Sequence, residues 1–269
     1  MIQLSVLNQP SAQTHQGNTI PLTALIDTAL CVGAGGSSGS QADKPILKTA
    51  EGQLVIPASQ LKGRLRHECE KLSRGLGWAT CESPIAETMC PQRAGFSTKD
   101  PQDNDYENNF HRDDDYRVPG DERYHCLICQ IFGNPALPAK LQISDLICVE
   151  PPENIPEVFR PGVTINRRRR TAEEKKLFFL ETSPANTQLA FTGTITLAPN
   201  IPAFSKVLIL AGLKHIHALG GSKSTGLGWL HWQSPLFDAT EIDQNAWDGL
   251  DKAKVDKNAQ QSTVAGGQS

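Results

Sequence analysis

Between Trp78 and His125 the chain contains no leucine, one isoleucine and one valine, while Asp, Asn, Pro and Arg crowd into runs such as DNDYENN and RDDDYR. A segment of that composition cannot bury enough apolar surface to offset the entropy of its own ordering. It is also much longer than an ordinary connection between elements. Residues 78–125 are therefore expected to be a polar insertion, and the fold must be assembled from the two stretches around it, 1–77 and 126–239. Cysteines offer a remedy for a segment with no core. Cys81 and Cys90 lie inside it, and Cys126 and Cys129 follow directly as C-x-x-C in YHCLICQIFG. Four thiolates on one Zn2+ would staple the insertion to the body. His67, Cys69, His111 and His125 are substitute ligands, and a pair of buried thiols is the other reading of C-x-x-C. Cys31 and Cys148, on expected strands, read as core.

The remaining composition narrows the class. The chain has 269 residues and a net charge of −3, which does not by itself advertise a polyanion partner. The signs are segregated, however: acids gather at 100–122 and bases at 62–74 and 166–176, so local basic patches are available. The start, MIQLSVLNQP, has no basic stretch followed by an apolar core, and no apolar run approaches the roughly 18–20 residues that cross a bilayer. A cytoplasmic location with no membrane partner is the expectation. In that reducing setting seven cysteines argue for metal, core or reactive roles over disulfides.

Periodicity gives a coarse element order. LTALIDTALCVG (22–33) reads as a strand ending in a Gly/Ser stretch, and QLVI (53–56) as a second, short one. In IPASQLKGRLRHECEKLSRGLG, Leu61, Leu65, Cys69, Leu72 and Leu76 fall at helical spacing, with Ser59 as the expected N-cap. Regularity returns at CLICQIFGNP and LQISDLICVE, the second reading as a strand; VTINRRRR then opens a basic hairpin, and LFFLET and LAFTGTITLA are strands. FSKVLILAGLKHIHALGG is an amphipathic helix with Leu208, Ala211, Leu213 and Ile216 toward a core. Residues 240–269 read as a loosely ordered tail. This order suits an α+β fold with a mainly antiparallel sheet, with a ferredoxin-like or RRM-like core as the natural candidate.

Three basic features point to a phosphate-bearing partner. HALGGSKSTGLGW (217–229) sets Gly220, Gly221, Gly226 and Gly228 around Lys223. It is not a Walker A loop, because Ser222 and not Gly precedes the lysine. Bare backbone N–H groups, Lys223 and the hydroxyls of Ser222, Ser224 and Thr225 can hold strand phosphates. A C-cap glycine and a tight turn into GWLHW is the alternative. On the helix, Lys62 and Arg66 share a face with Arg64 beside them, and Gly63 costs about 1 kcal/mol relative to Ala, which points to something approaching the backbone; a solvated helix face is the alternative. Arg167, Arg168, Arg169 and Arg170 with Lys175 and Lys176 place six cations in ten positions, and arginine pairs with phosphate bidentately. Asp43 precedes Lys44–Pro45 after the Gly/Ser stretch. A loop carboxylate there can hold a divalent cation against a phosphodiester, although by residue type alone it is one surface acid among many. Asp27 and Asp145 do not stand out.

Together these segments resemble the RAMP superfamily, in particular the guide-RNA backbone subunits of type III CRISPR effector complexes. ADKPILKTAEGQLVIPASQLKGRLR resembles the family's Asp-x-Pro, strand, IPGSSLKG and basic helix, with Ala58 and Gln60 departing from the usual Gly and Ser. CQIFGNP with LQISDL, VTINRRRRTAEEKKLFFLE and GGSKSTGLGWLHW resemble its next three segments in the same order, from about residue 20 to 235. The resemblance implies an RRM-like core with a thumb over about 150–180 that wedges into a guide–target duplex. The implied partners are crRNA, complementary target RNA, sister RAMP subunits and a large subunit. It places the family's catalytic Asp at Asp43, supporting Mg2+- or Mn2+-dependent cleavage of target RNA, with Lys44 a departure that either holds phosphate or displaces the metal. The cysteine-bearing insertion is similar to those of subtypes D and E, and D is the subtype expected. Two alternatives stay open: a backbone subunit that binds without cutting, and a metal-independent guide-processing endoribonuclease that uses His215, His217 or His231.

Overall fold

A computed structural model describes residues 18–33, 42–78, 80–85, 89–90, 125–185, 187–199, 201, 203–234 and 237. Most of the expected insertion, the Gly/Ser stretch and the tail 240–269 lie outside the described residues. The body is a mixed α+β fold on an antiparallel sheet. Strand β1 (Asn18–Ile26) pairs along its whole length with β7 (Leu189–Leu197), from Asn18↔Leu197 to Ile26↔Leu189. On its other side it pairs with β8 (Leu230–Gln233). Strands β2 (Val55–Ile56) and β4 (Leu146–Cys148) extend the sheet beyond β7, giving the order β2-β4-β7-β1-β8, and β3 (Leu141–Ile143) also pairs with β7.

Alternation along the strands makes one face apolar. Leu22, Ala24 and Ile26 on β1, Phe191 and Ile195 on β7 and Leu230 on β8 are buried in one core with Leu61, Leu65 and Cys69 of helix α1 (Ala58–Gly75). Helix α3 (Ala203–Lys214) packs against α1, and Gly212 sets how closely: a Cβ there would lie 2.6 Å from Cys69 Sγ and 2.9 Å from Leu65 Cδ1. The opposite sheet face, with Thr23, Leu25, Ile147, Thr192 and His231, stays exposed or half-exposed.

Three local expectations are corrected, and one segment left unassigned gains its element. The strand over 22–33 stops at Ile26, because the backbone of 28–33 bonds elsewhere. CLICQIFGNP is a helix, α2 (Leu127–Phe132), ended by Gly133 at φ 78°; all six residues are buried, so no periodicity separated helix from strand. LQISDLICVE splits into β3 and β4. Ser144 leaves to accept the Thr194 N–H (2.8 Å), and Asp145 Oδ1 accepts the Ala58 N–H (2.7 Å). That last bond also replaces the expected Ser59 cap: Pro57 is the N-cap of α1, it offers no side-chain acceptor, and Asp145 serves the first turn from between two strands.

A second sheet consists of a hairpin, β5 (Val158–Asn166) with β6 (Thr171–Thr182), in the region where the basic hairpin was expected. It joins the body through the buried segment after β1. Leu30 N–H donates to Ser183 Oγ (2.8 Å) and its carbonyl accepts from Ser183 N–H (2.9 Å). The carbonyls of Ala29, Cys31 and Val32 accept from Gly228, Gly221 and Leu47 N–H groups at 2.9, 2.7 and 2.8 Å.

This geometry separates two glycines. Gly228 (φ 72°) and Gly226 (φ 89°) both have the left-handed backbone, but a Cβ on Gly228 would fall 1.8 Å from the Leu219 carbonyl oxygen, whereas one on Gly226 meets open space. Gly228→Ala should therefore destabilise by about 2–4 kcal/mol and Gly226→Ala by about 1–2 kcal/mol, compared through denaturant midpoints at constant m-value.

Candidate nucleic-acid interface and metal centre

The four cysteines named from the sequence come together. Cys126 is the N-cap of α2 and Cys129 lies one turn on, so C-x-x-C points both sulfurs to one side; Cys81 and Cys90 reach them from the described N-terminal part of the insertion. All four are buried, and their sulfurs lie within 4.8 Å of one another. Cys81 and Cys129 Sγ are 3.6 Å apart, against about 3.8 Å for the corners of a tetrahedron with the usual 2.3 Å Zn–S bond. The thiols already share protons unevenly. Hydrogen bonds from Cys126, then Cys129 and Cys90, hold Cys81 well below the usual thiol range, and Cys129 is lowered to about 7 chiefly by the Cys126 thiol, which is itself pushed up. The donor set fits a structural zinc ion. The substitute ligands stand apart: His125 Nδ1 meets Asn134 Nδ2 at 3.0 Å, Cys69 packs against Leu208, His67 is exposed, and His111 lies outside the described residues.

Arg66, expected on the outer basic face of α1, turns inward to this cluster. Its Nη2 donates to Cys129 Sγ (3.4 Å), its Nη1 to the Gly133 carbonyl (2.8 Å) and its Nε to Glu70 (3.0 Å). A guanidinium beside a ligating sulfur offsets thiolate charge and fixes the loop around the site. Arg64 pairs with Glu68 (2.9 Å), which also takes Lys71. The signal lay in the sequence, since Glu68 and Glu70 stand four residues after the two arginines. Lys62 keeps no carboxylate partner among the described residues; burial, and then the nearby Arg66 cation, lower its pKa. Gly63 is exposed, and a Cβ on it would meet nothing.

Asp43 is held at the root of the hairpin by main chain alone. Phe179 on β6 lies opposite Pro161, which has no N–H to exchange, so the Phe179 backbone groups face outward. Asp43 Oδ2 accepts the Phe179 N–H (2.7 Å), and the Asp43 and Lys44 N–H groups donate to the Phe179 carbonyl (3.1 and 3.3 Å). Glu181 N–H donates to the Lys44 carbonyl (3.1 Å). Asp43 is exposed, and its Oδ1 takes no hydrogen bond from the described residues. Behind it the buried Glu181 accepts from Ile46 N–H (3.2 Å) and pairs with Lys48 (2.8 Å), which also reaches Glu157 (2.9 Å). Burial alone would lower Lys48, but the two carboxylates overrule it and raise its pKa.

The tip of the hairpin is Arg167 to Arg170. Asn166 Oδ1 accepts the N–H groups of Arg168 and Arg169 (3.1 Å each), and Arg170 closes the turn at φ 57°. All four side chains are exposed, with no carboxylate partner among the described residues. Register puts Phe159, Pro161, Val163, Leu177 and Phe179 on one face of the hairpin, and all five are exposed.

In the glycine-rich loop, Lys223–Thr225 form one 3-10 turn between left-handed Ser222 and Gly226. Gly220 has an intramolecular reason to be bare: a Cβ would lie 2.6 Å from the Cys31 carbonyl oxygen, and the adjacent Gly221 N–H bonds that same oxygen. Lys223 and Ser224 are exposed. Burial pushes the Cys31 thiol up and the Lys44 charge opposes it, so the hairpin root and the loop flank the same segment. No hydrogen bond or ion pair among the described residues links Lys62 to that region. Asp27 does not stand out in the sequence, yet its Oδ2 pairs at 2.5 Å with Nδ1 of His231, one of the three candidate histidines; only the pairing of β1 with β8 brings the two together.

The metal centre makes a direct prediction. Elemental analysis of purified protein should find about one zinc per chain, and Cys126→Ser should lose it together with thermal stability. Because ligation needs thiolates, protons compete with the metal. Zinc retention should be complete above neutrality and decline as pH falls, read by chelator release across a pH series.

No curated protein matches the chain. The RAMP superfamily model matches residues 23–231, from within β1 to β8, taking in the hairpin, the cysteine cluster and the glycine-rich loop. The chain belongs to the RAMP superfamily, which points to a CRISPR-associated, RNA-binding role.

Proposed function

We propose that this chain is a guide-RNA (crRNA) backbone subunit of a type III CRISPR effector complex, of subtype D, which cuts complementary target RNA at Asp43. The observation that carries the reading is the attachment of Asp43 to the root of a hairpin that has an apolar face and, at its tip, four arginines with no carboxylate partner among the described residues. Such a hairpin suits insertion at a duplex: arginines take phosphates bidentately, and exposed aromatic and aliphatic side chains replace stacking lost by a displaced base. Lys62, Arg64, Lys223, Ser224 and the backbone of Gly220–Gly221 hold the guide strand. Guide sequence is read by base pairing, with protein contacts to backbone and shape.

The chemistry asks little of the protein beyond placement. The target's own 2′-OH attacks the adjacent phosphate once the two are held in line. One free carboxylate oxygen fits Mg2+ or Mn2+, because such ions take one or two carboxylates and leave the remaining positions to water and phosphate; bound there, the ion would offset charge on the scissile phosphate. Lys44 beside Asp43 favours the second reading, a backbone subunit that binds without cutting. The histidine-dependent processing enzyme is a third reading: Asp27 engages His231 Nδ1, an arrangement that orients an imidazole for proton transfer.

The assembled, guide-loaded complex separates these readings. With Mg2+, Asp43→Ala should abolish one cut in a regularly spaced series while assembly is kept, and EDTA should abolish it in wild type. An unchanged pattern with intact assembly selects the non-cutting subunit, and precursor cleavage in EDTA selects the processing enzyme. Gly63 gives a test of opposite signs. Gly63→Ala should stabilise the isolated chain by up to about 1 kcal/mol, because no protein atom occupies the space, yet weaken guide binding. Improved stability with unchanged affinity would remove that face of α1 from the interface.

A further inference from the structure

Trp229 and His231 stand two residues apart at the sheet edge. Alternation turns Leu230 into the core and His231 outward, with Trp229 on the His231 side. Trp229 is 49% exposed and the His231 side chain 78%, although tryptophan is highly buried on average. Neither residue hangs loose. The Trp229 N–H donates to Thr28 Oγ1 (3.0 Å), and its carbonyl accepts from Asp27 N–H (2.9 Å). His231 Nδ1 meets Asp27 Oδ2 at 2.5 Å, and Asp27 Oδ1 accepts from Gln188 Nε2 at 3.4 Å. The imidazole is thereby oriented by one nitrogen, with most of the ring left in solvent. Trp232 behaves differently: its indole N–H reaches the Ile216 carbonyl (3.0 Å), and the ring packs against the core. The fold thus uses one of these two tryptophans for packing and presents the other outward.

The exposed cation in the adjoining loop favours nucleobases, which bring phosphates with them, over an apolar protein partner. Across the open face, the neighbours of His231 are Leu25, then Ala190, with Thr23 and Thr192 in the next row. The row beside His231 is apolar and continues through Leu25 and Ala190 to the exposed Val149, while Thr23 and Thr192 lead to the exposed Ile147 in the row next to it. The glycine-rich loop runs directly into Trp229 and carries the exposed Lys223, which has no carboxylate partner among the described residues. Same-face residues on a strand are roughly 7 Å apart, so two rings can each take a base of an unstacked strand. We propose that Trp229 and His231 form a stacking platform for bases of single-stranded RNA, with Lys223 holding the adjoining phosphates. The site rests on the RNA-binding reading above and adds to it contacts made through base faces.

The test compares binding of a short labelled oligoadenylate with that of an abasic strand of equal length, using the full chain. Trp229→Ala should weaken oligoadenylate binding roughly 5- to 150-fold and leave abasic-strand binding unchanged. Trp229→Phe should retain most of the affinity, and His231→Phe should bind more tightly than His231→Ala, with circular dichroism unchanged throughout. The platform is overturned if wild type binds the two strands equally, or if Trp229→Ala loses equally on both. If wild type binds neither strand, the RNA-binding reading itself fails.

Discussion

The reciprocal pair of hydrogen bonds between Leu30 and Ser183 is the joint on which the rest of the molecule depends. Leu30 is fully buried in a segment with no strand partner of its own, so each of its backbone groups needs a specific acceptor or donor. Ser183 supplies both, and it lies directly after β6. The same segment accepts from Gly221, Gly228 and Leu47. The hairpin, the glycine-rich loop and the stretch carrying Asp43 are therefore tied to one another through residues that look like an unremarkable continuation of β1. Loss of any one anchor leaves a buried carbonyl unpaired, which costs more than the bond itself contributes.

What the sequence disclosed and what it hid follow a physical division. The cysteine cluster was legible because metal ligation constrains residue type, and C-x-x-C constrains spacing. The stripe Leu61, Leu65, Cys69 was legible because α1 buries only one side. Helix α2 was not, because it is buried on every side and carries no period. The cap of α1 was hidden for a different reason: Asp145 is distant in sequence, and only the sheet brings its carboxylate to Ala58. The arginines of α1 show the limit of composition. Lys62, Arg64 and Arg66 look equivalent as a basic run, yet Glu68 and Glu70 divide them, and Arg66 ends beside Cys129.

The glycine-rich loop gives a mixed outcome that a motif alone cannot resolve. Gly220 and Gly228 are bare because the chain's own carbonyls occupy the space, whereas Gly226 faces outward. A glycine-rich signature can thus record packing within the protein and an approach from outside in the same few residues. Cysteine cluster and helix meet in a comparable way. Through Arg66, the cysteine cluster is braced against the helix that also bears Lys62 and Gly63.

The attachment of Asp43 to backbone groups of Phe179 has a consequence for how this surface can vary. A carboxylate held by a peptide N–H is indifferent to the side chain at that position, so the apolar face of the hairpin can be rewritten without moving the acid. The same bonds fix the spacing between acid and hairpin tip mechanically. Strand geometry sets it at about 3.4 Å per residue along β5, opposite which β6 bulges between Ala172 and Leu177 with Lys175 at φ 57°, so hairpin and carboxylate act as a ruler whose length is counted in residues of β5. Lengthening the hairpin would shift where its tip reaches relative to Asp43 by whole strand steps, and changes of side chain along it would leave that distance untouched.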